Sequence, residues 1–189
     1  MRLGEIMKHN TKTPEQIEIM SRAGKMLGIV LEETLKQVKP GITELELDSF
    51  ADQKIKELGG FPGFKKVDGY KHAICVATND VVVHGIPGKR VLKDGDIIAI
   101  DAGVYLDGFH SDMAETVVVG KTQDKEVYRF LEAGKQAMYA GIREAKPGNR
   151  VGDISKAMQD IIEKQNGYSV VRSLVGHGVG RQLHEDPQI

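Results

Sequence analysis

The sequence predicts an α+β chain in which an α-α-β unit is used twice, the second time without its final strands. Three observations carry that prediction. Two stretches of helical periodicity are broken by Lys39-Pro40-Gly41, and a second such pair is broken by Lys146-Pro147-Gly148. Strand-like texture follows the second helix in each half. Short motifs also recur in the same order: Ala23-Gly24-Lys25 with Ala133-Gly134-Lys135, then His84-Gly85-Ile86 with His177-Gly178-Val179. A shared order of motifs is the mark of an internal duplication. In the first half the His-Gly motif is followed by a hairpin carrying Asp101 and Asp112. The equivalent hairpin of the second half would fall beyond residue 189, where the sequence stops. Residues 1–12 read as an N-terminal segment and residues 13–189 as one domain lacking its C-terminal strands.

The elements follow in order. Thr13-Pro14-Glu15-Gln16 opens a helix, with Thr13 as N-cap, Pro14 at the first helical position and Gln16 at capping-box distance. Ile17, Met20, Ala23, Gly24, Leu27, Val30, Leu31 and Leu35 recur at helical spacing as far as Lys39-Pro40-Gly41. A second helix runs from Thr43 to Leu58 and stops at Gly59-Gly60. From Ala73 to Val119 the texture is β, in the runs ICVATNDVVVHGI and DIIAIDAGVYLDGFHSDMAETVVVG, punctuated by Pro87-Gly88, Asp94-Gly95 and Asp107-Gly108. Helices return over 124–145 and 151–165.

Composition narrows the function classes. The chain has 189 residues, a net charge of −1 and 28% charged residues, so no basic field points to nucleic acid or an anionic membrane. Trp is absent and aromatic residues make up only 5%, which disfavours base-stacking platforms. The opening MRLGEIMKHNTKTPEQ has no signal-peptide core, and no window approaches the roughly 18 apolar residues of a membrane span. The single cysteine, Cys75, has no partner for an internal disulfide. A cytoplasmic, reducing location is expected.

The chemistry concentrates in the first-half hairpin. With Asp107-Gly108 as a two-residue loop, Asp101 faces Ala114 and Asp112 faces Gly103. The two aspartates then share one face as diagonal neighbours, roughly 7–8 Å apart at the backbone. Two carboxylates flanked by Ile97, Ile98, Ile100 and Val104 are costly without a counter-charge. Either they are edge aspartates facing water or they hold a divalent metal, and the mid-strand position of Asp101, which strands disfavour, shifts the balance toward metal. The histidines carry less information. His177 and His184 are seven apart, on opposite faces of a regular strand, and converge only if the segment bends after Gly180. Taken singly, each of these, like His84 in VVVHGIPG, reads more readily as a structural hydrogen-bonding residue than as a ligand.

Taken together, NDVVVHGIPG, DGDIIAIDAGVYLDGFHSDMAETVVVG and GHGVGRQLHEDPQI resemble three consecutive blocks of the type I methionine aminopeptidases. The start TPEQIEIMSRAGKMLG fits the same family. The resemblance spans essentially the whole chain and implies the pita-bread fold, a pseudo-twofold α-α-β duplication. It implies removal of the initiator methionine from nascent proteins by hydrolysis at two divalent ions (Co, Mn, Fe or Zn), about 3.5–4 Å apart. By resemblance Asp101 and Asp112 are metal ligands, with Asp112 bridging, and His177 is the imidazole ligand. His84 and His184 contact the scissile amide and its developing oxyanion, and Cys75 lines the methionine pocket. Asp80 departs from the glutamate usual there.

The family supplies two further glutamate ligands on strands after His184, one of them the general base. Glu185 is too close to His184 to replace either. Against two dications, two carboxylates and one imidazole leave excess positive charge and open coordination positions, so weak or single-metal binding and low or absent peptidase activity are expected of this chain. The implied partners are N-terminal methionyl peptides and nascent chains near the ribosome, with no direct nucleic-acid or membrane contact. Other readings are a prolidase or Xaa-Pro aminopeptidase, which usually carries a large extra N-terminal domain, and a non-catalytic pita-bread binding protein. The type II aminopeptidases are disfavoured by HGIPG and GRQLHEDP.

Overall fold

The computed structural model describes residues 11–189, so most of the N-terminal segment assigned to residues 1–12 lies outside the described residues. Two compact units form: one runs through Lys121 and includes Val179–Asp186, the other comprises Thr122–Gly178 and Pro187–Ile189.

In the first unit, helix α1 spans Pro14–Gln37 and helix α2 spans Glu44–Glu57. Both begin in reciprocal capping boxes. The Thr13 hydroxyl accepts from Gln16 N–H while the Gln16 side chain accepts from Thr13 N–H. Thr43 and Glu46 repeat the arrangement, satisfying amides that helix starts leave without partners. Strands β1 (Phe61–Pro62), β2 (Ile74–Thr78), β3 (Ile97–Leu106) and β4 (Phe109–Val118) form one antiparallel sheet. β3 is central. β1 and β2 share one of its edges, at Tyr105 and Val104 and at Ala102 to Ile98 respectively, and β4 takes the other.

The hairpin forms in the predicted register, with Asp101 opposite Ala114 and Asp112 opposite Gly103. Its loop has φ of 47° at Asp107 and 91° at Gly108, the left-handed pair of a two-residue turn matched to strand twist. Alternation along β3 then sorts the faces. Ile98, Ile100, Ala102 and Val104 enter a core with Leu27, Val30 and Leu31 of α1 and Leu47, Ala51 and Ile55 of α2. Asp101, Gly103 and Tyr105 fall on the opposite face. The isoleucines expected beside the carboxylates therefore divide: Ile98 and Ile100, with Val104, lie behind the sheet, a consequence of the period of two.

The β reading of VVVHGI is corrected. β2 ends at Thr78, and residues 79–92 form an irregular loop in which Val82 is 62% exposed. The left-handed conformation at His84 (φ 56°) interrupts any strand there. Two buried carboxylates fasten this region to α2. Glu44 accepts from the Thr78 hydroxyl and the Gly88 amide. Asp48 accepts from the amides of Ala73 and Ile74 and pairs with His72 Nδ1 at 2.7 Å.

In the second unit, α3 spans Lys125–Glu144 and α4 spans Val151–Gln159, continued by a wider turn at Asp160–Gln165. Phe130 and Tyr168 stack edge to face, Arg129 lies over the Tyr168 ring, and the Tyr168 hydroxyl donates to Glu126. The short strand β5 (His177–Gly178) also lies in this unit, where Gly176 and Ile189 exchange both backbone hydrogen bonds. Among the described residues no helix is long and apolar enough to cross a membrane.

Candidate metal centre

Asp101 and Asp112 are brought together by the hairpin. As diagonal neighbours on one face, the two carboxyl groups are close enough to share a hydrogen bond. Burial, then the neighbouring Asp112 charge and the hydrogen bond to it, push the Asp101 carboxyl up from 3.8 to about 7. Two like charges in a partly dry site cannot both ionise cheaply, so one proton is retained between them. A divalent cation relieves the same repulsion, and hard oxygen donors of this kind suit Mn, Fe or Co as well as Zn. The pair therefore fits a divalent ion. Among the described residues no group of three or more His, Cys, Asp or Glu side chains is placed to hold one.

Cys75 lies opposite Asp101 across the β2–β3 pair. It is buried with Phe64, Leu183 and the partly buried Tyr70 in a small apolar cluster separate from the main core. The Tyr70 hydroxyl lies 3.1 Å from the sulfur and donates to the Ile74 carbonyl at 2.8 Å. Burial, and then the charges of Asp101, Asp112 and Asp48, push the Cys75 thiol up despite the Tyr70 contact, so it remains a neutral thiol. Gly103 makes the cluster possible, since a Cβ there would come within 2.7 Å of the Phe64 ring.

His84 is exposed on the loop after β2. The next residue holds the loop in place: the Gly85 carbonyl accepts from Val76 N–H at 2.9 Å, and a Cβ on Gly85 would be 1.9 Å from the Val76 carbonyl oxygen. His184 is exposed in the same unit, on a segment that does bend after Gly180, where Gly180 N–H donates to the Gln182 carbonyl. It lies near enough to His110 for its charge to be felt there. Burial, then the charges of Lys66 and His184, hold the His110 imidazole below its ordinary value against the opposing pull of Glu185. His177 belongs to the second unit, half-buried in β5, with Nδ1 2.9 Å from the Gly178 carbonyl oxygen.

Some of the surroundings had no sequence signal. Phe64 and Tyr70 sit in FPGFKKVDGYKH, which reads as a loop, and join Cys75 only through the sheet. His110 is buried opposite Tyr105 in an edge-to-face contact, and its Nδ1 has no hydrogen-bond partner among the described residues.

Comparison with known proteins gives the frame for these residues. Residues 18–189 match the model of metallopeptidase family M24. The chain is 49% identical over 178 residues to methionine aminopeptidase 1 of Bacillus subtilis, covering 94% of this chain and 71% of that protein. The crystal structure of the methionine aminopeptidase from Thermotoga maritima superposes with a TM-score of 0.90 at 42% identity, over 94% of this chain and 71% of that one. The X-Pro aminopeptidase of the same organism shares the fold, with a TM-score of 0.76 at 23% identity, and this chain spans 49% of its length.

Proposed function

The chain belongs to metallopeptidase family M24 and, within it, to the methionine aminopeptidases, and from that premise we propose that it removes the N-terminal methionine of nascent proteins. Its fold is that of the pita-bread peptidases. The observation that carries the functional reading is the diagonal Asp101–Asp112 pair beside the apolar cluster of Cys75, Phe64, Tyr70 and Leu183. The first is a seat for a divalent cation and the second a seat for an unbranched apolar side chain.

In this reading Asp101, Asp112 and the imidazole of His177 would be the residues that hold the divalent ions, Co, Mn, Fe or Zn. A bound divalent ion supplies Lewis acidity, lowering the pKa of water and polarising a peptide carbonyl. The residues of the chain do the rest. Cys75, a neutral thiol among aromatic rings, gives a soft and polarizable wall suited to a thioether. His84 and His184 donate hydrogen bonds to the scissile amide and to the oxygen on which negative charge develops. Two carboxylates balance the charge of one dication but only half that of two, so the 189-residue chain binds metal weakly or singly and turns over slowly. Residues 13–189 act as one domain on methionyl peptides and nascent chains in the cytoplasm, close to the ribosome.

The test is release of methionine from Met-Ala-Ser by the purified chain in Co²⁺, Mn²⁺ or Fe²⁺, with metal uptake followed by calorimetry. Slow release that disappears in Asp112→Asn is expected. No release at saturating metal, or release indifferent to Asp112→Asn, overturns the function. Two tight metal sites with fast turnover overturn the claim of a weak centre.

A further inference from the structure

We propose that Lys12 and Glu185 form a clasp that positions His184, an inference that rests on His184 being a substrate contact. Lys12 stands immediately before the N-cap of α1, far from Glu185 in sequence. Its Nζ nevertheless lies 2.6 Å from Glu185 Oε2, with the two side chains only 18% and 6% exposed. Ion pairs at the surface hold little in place, but a pair this enclosed is a charge-assisted contact that neither partner leaves without stranding the other.

Both oxygens of the Glu185 carboxylate are used. While Oε2 meets Lys12, Oε1 accepts from the Gln182 amide at 3.1 Å. The carboxylate thereby closes the turn that carries His184. Gly180 begins the turn, donating to the Gln182 carbonyl at 3.0 Å and accepting from His110 N–H at 2.7 Å, which docks it on the first residues of β4. A side chain at Gly180 has no room: its Cβ would meet the Glu185 carboxylate at 2.5 and 2.6 Å and the Lys12 stem at 2.7 Å. The residue on the other side of His184 is anchored as well, since Leu183 is buried with Phe64 and Cys75. His184 is thus the exposed residue between two inward anchors, one apolar and one ionic. Two anchors fix the direction of a side chain where one would leave the turn free to rotate.

Lys12 and Glu185 are positioning residues in this account, and the test reads His184 itself. In the 189-residue chain labelled with ¹⁵N-histidine, the His184 imidazole signal is followed in Lys12→Met, Glu185→Gln and Lys12→Arg, with His72, held by its own carboxylate partner Asp48, as an internal reference. The expected result is a shift or loss of the His184 signal in Lys12→Met and Glu185→Gln, an unchanged His72 signal, and return of His184 to its original position in Lys12→Arg. A His184 signal that stays in place in Lys12→Met overturns the clasp. So does a Lys12→Arg chain that behaves like Lys12→Met, or a His72 signal that moves with His184 in both loss variants. Titration of Met-Ala-Ser into the unaltered chain separates the two claims. A peptide that leaves the His184 signal unmoved refutes its contact with substrate while the clasp stands.

Discussion

Replacing Asp101 by Asn removes a charge that the fold resists. Asp101 sits mid-strand, opposite Cys75 on one side and Ala114 on the other, with Asp112 hydrogen-bonded across the diagonal. Its carboxyl is moved from 3.8 to about 7, so the folded chain keeps a proton that the unfolded chain has released. The stability this contributes is fully present below pH 3.8 and is lost as pH rises through about 7. The whole displacement corresponds to about 4 kcal/mol, of which about 2.5 kcal/mol falls between pH 5 and 8. Asn has the same shape and never ionises. The assay is urea unfolding of both chains, followed by far-UV circular dichroism, at pH 5 and pH 8 in the presence of a chelator. With Asn standing in for the protonated carboxyl, Asp101→Asn is expected to be more stable by about 1.5 kcal/mol at pH 5 and by about 4 kcal/mol at pH 8, a gap that widens by about 2.5 kcal/mol between the two. The comparison reads the Asp101–Asp112 pair as a unit, because removing one carboxyl also relieves the other. His110, held below 6.5, acts in the opposite sense but equally in both chains, Cys75 stays protonated because its pKa is raised above 9.0, and Glu33 and Asp160 are lowered and remain ionised. Adding Mn²⁺ at pH 8 should stabilise the wild-type chain and leave Asp101→Asn unmoved, because only the folded carboxylate pair binds the ion. A difference between the two chains that is the same at pH 5 and pH 8 refutes the reasoning.

Three further outcomes follow from close contacts. Gly103→Ala places a methyl 2.7 and 2.9 Å from the Phe64 ring, and thermal unfolding should report a loss of about 1–3 kcal/mol from overpacking. Asp48→Ala leaves the buried amides of Ala73 and Ile74 without their acceptor, at a cost of roughly 2–5 kcal/mol, with faster hydrogen exchange at those two amides. Gly85→Ala drives a Cβ into the Val76 carbonyl at 1.9 Å, so the loop carrying His84 must leave β2. Exchange of the Val76 amide should lose its protection, and a Val76 amide as protected as before would contradict the placement of His84.

The parts of this molecule written in local chemistry were legible in the sequence. Thr13 marks a helix start by a capping box that forms as written, and Thr43, read as the first residue of the second helix, proves to cap it in the same way. Asp107-Gly108 sets a turn, the turn sets the register, and the register alone places Asp101 and Asp112 on one face. Where the reading failed, the signal was ambiguous in kind. VVVHGI is rich in β-branched residues, yet its valines are exposed and the left-handed His84 breaks any ladder. Periodicity cannot separate an apolar loop from a short strand. The isoleucines around Asp101 looked like its surroundings because they are adjacent in sequence, whereas β alternation sends Ile98 and Ile100 behind the sheet. Glu185 was weighed only as a replacement metal ligand. Its pairing with Lys12 joins the two ends of the chain, and no spacing rule reaches that far.

The central claim is that Asp101 and Asp112 are the seat of the catalytic metal. Crystals of the 189-residue chain grown with Mn²⁺ at pH 8, and measured for the anomalous signal of manganese, address it most directly. The account predicts one anomalous peak in contact with carboxylate oxygens of both Asp101 and Asp112, and its disappearance in Asp112→Asn. A manganese peak elsewhere on the chain, with the carboxylate pair still joined by its hydrogen bond, would contradict it.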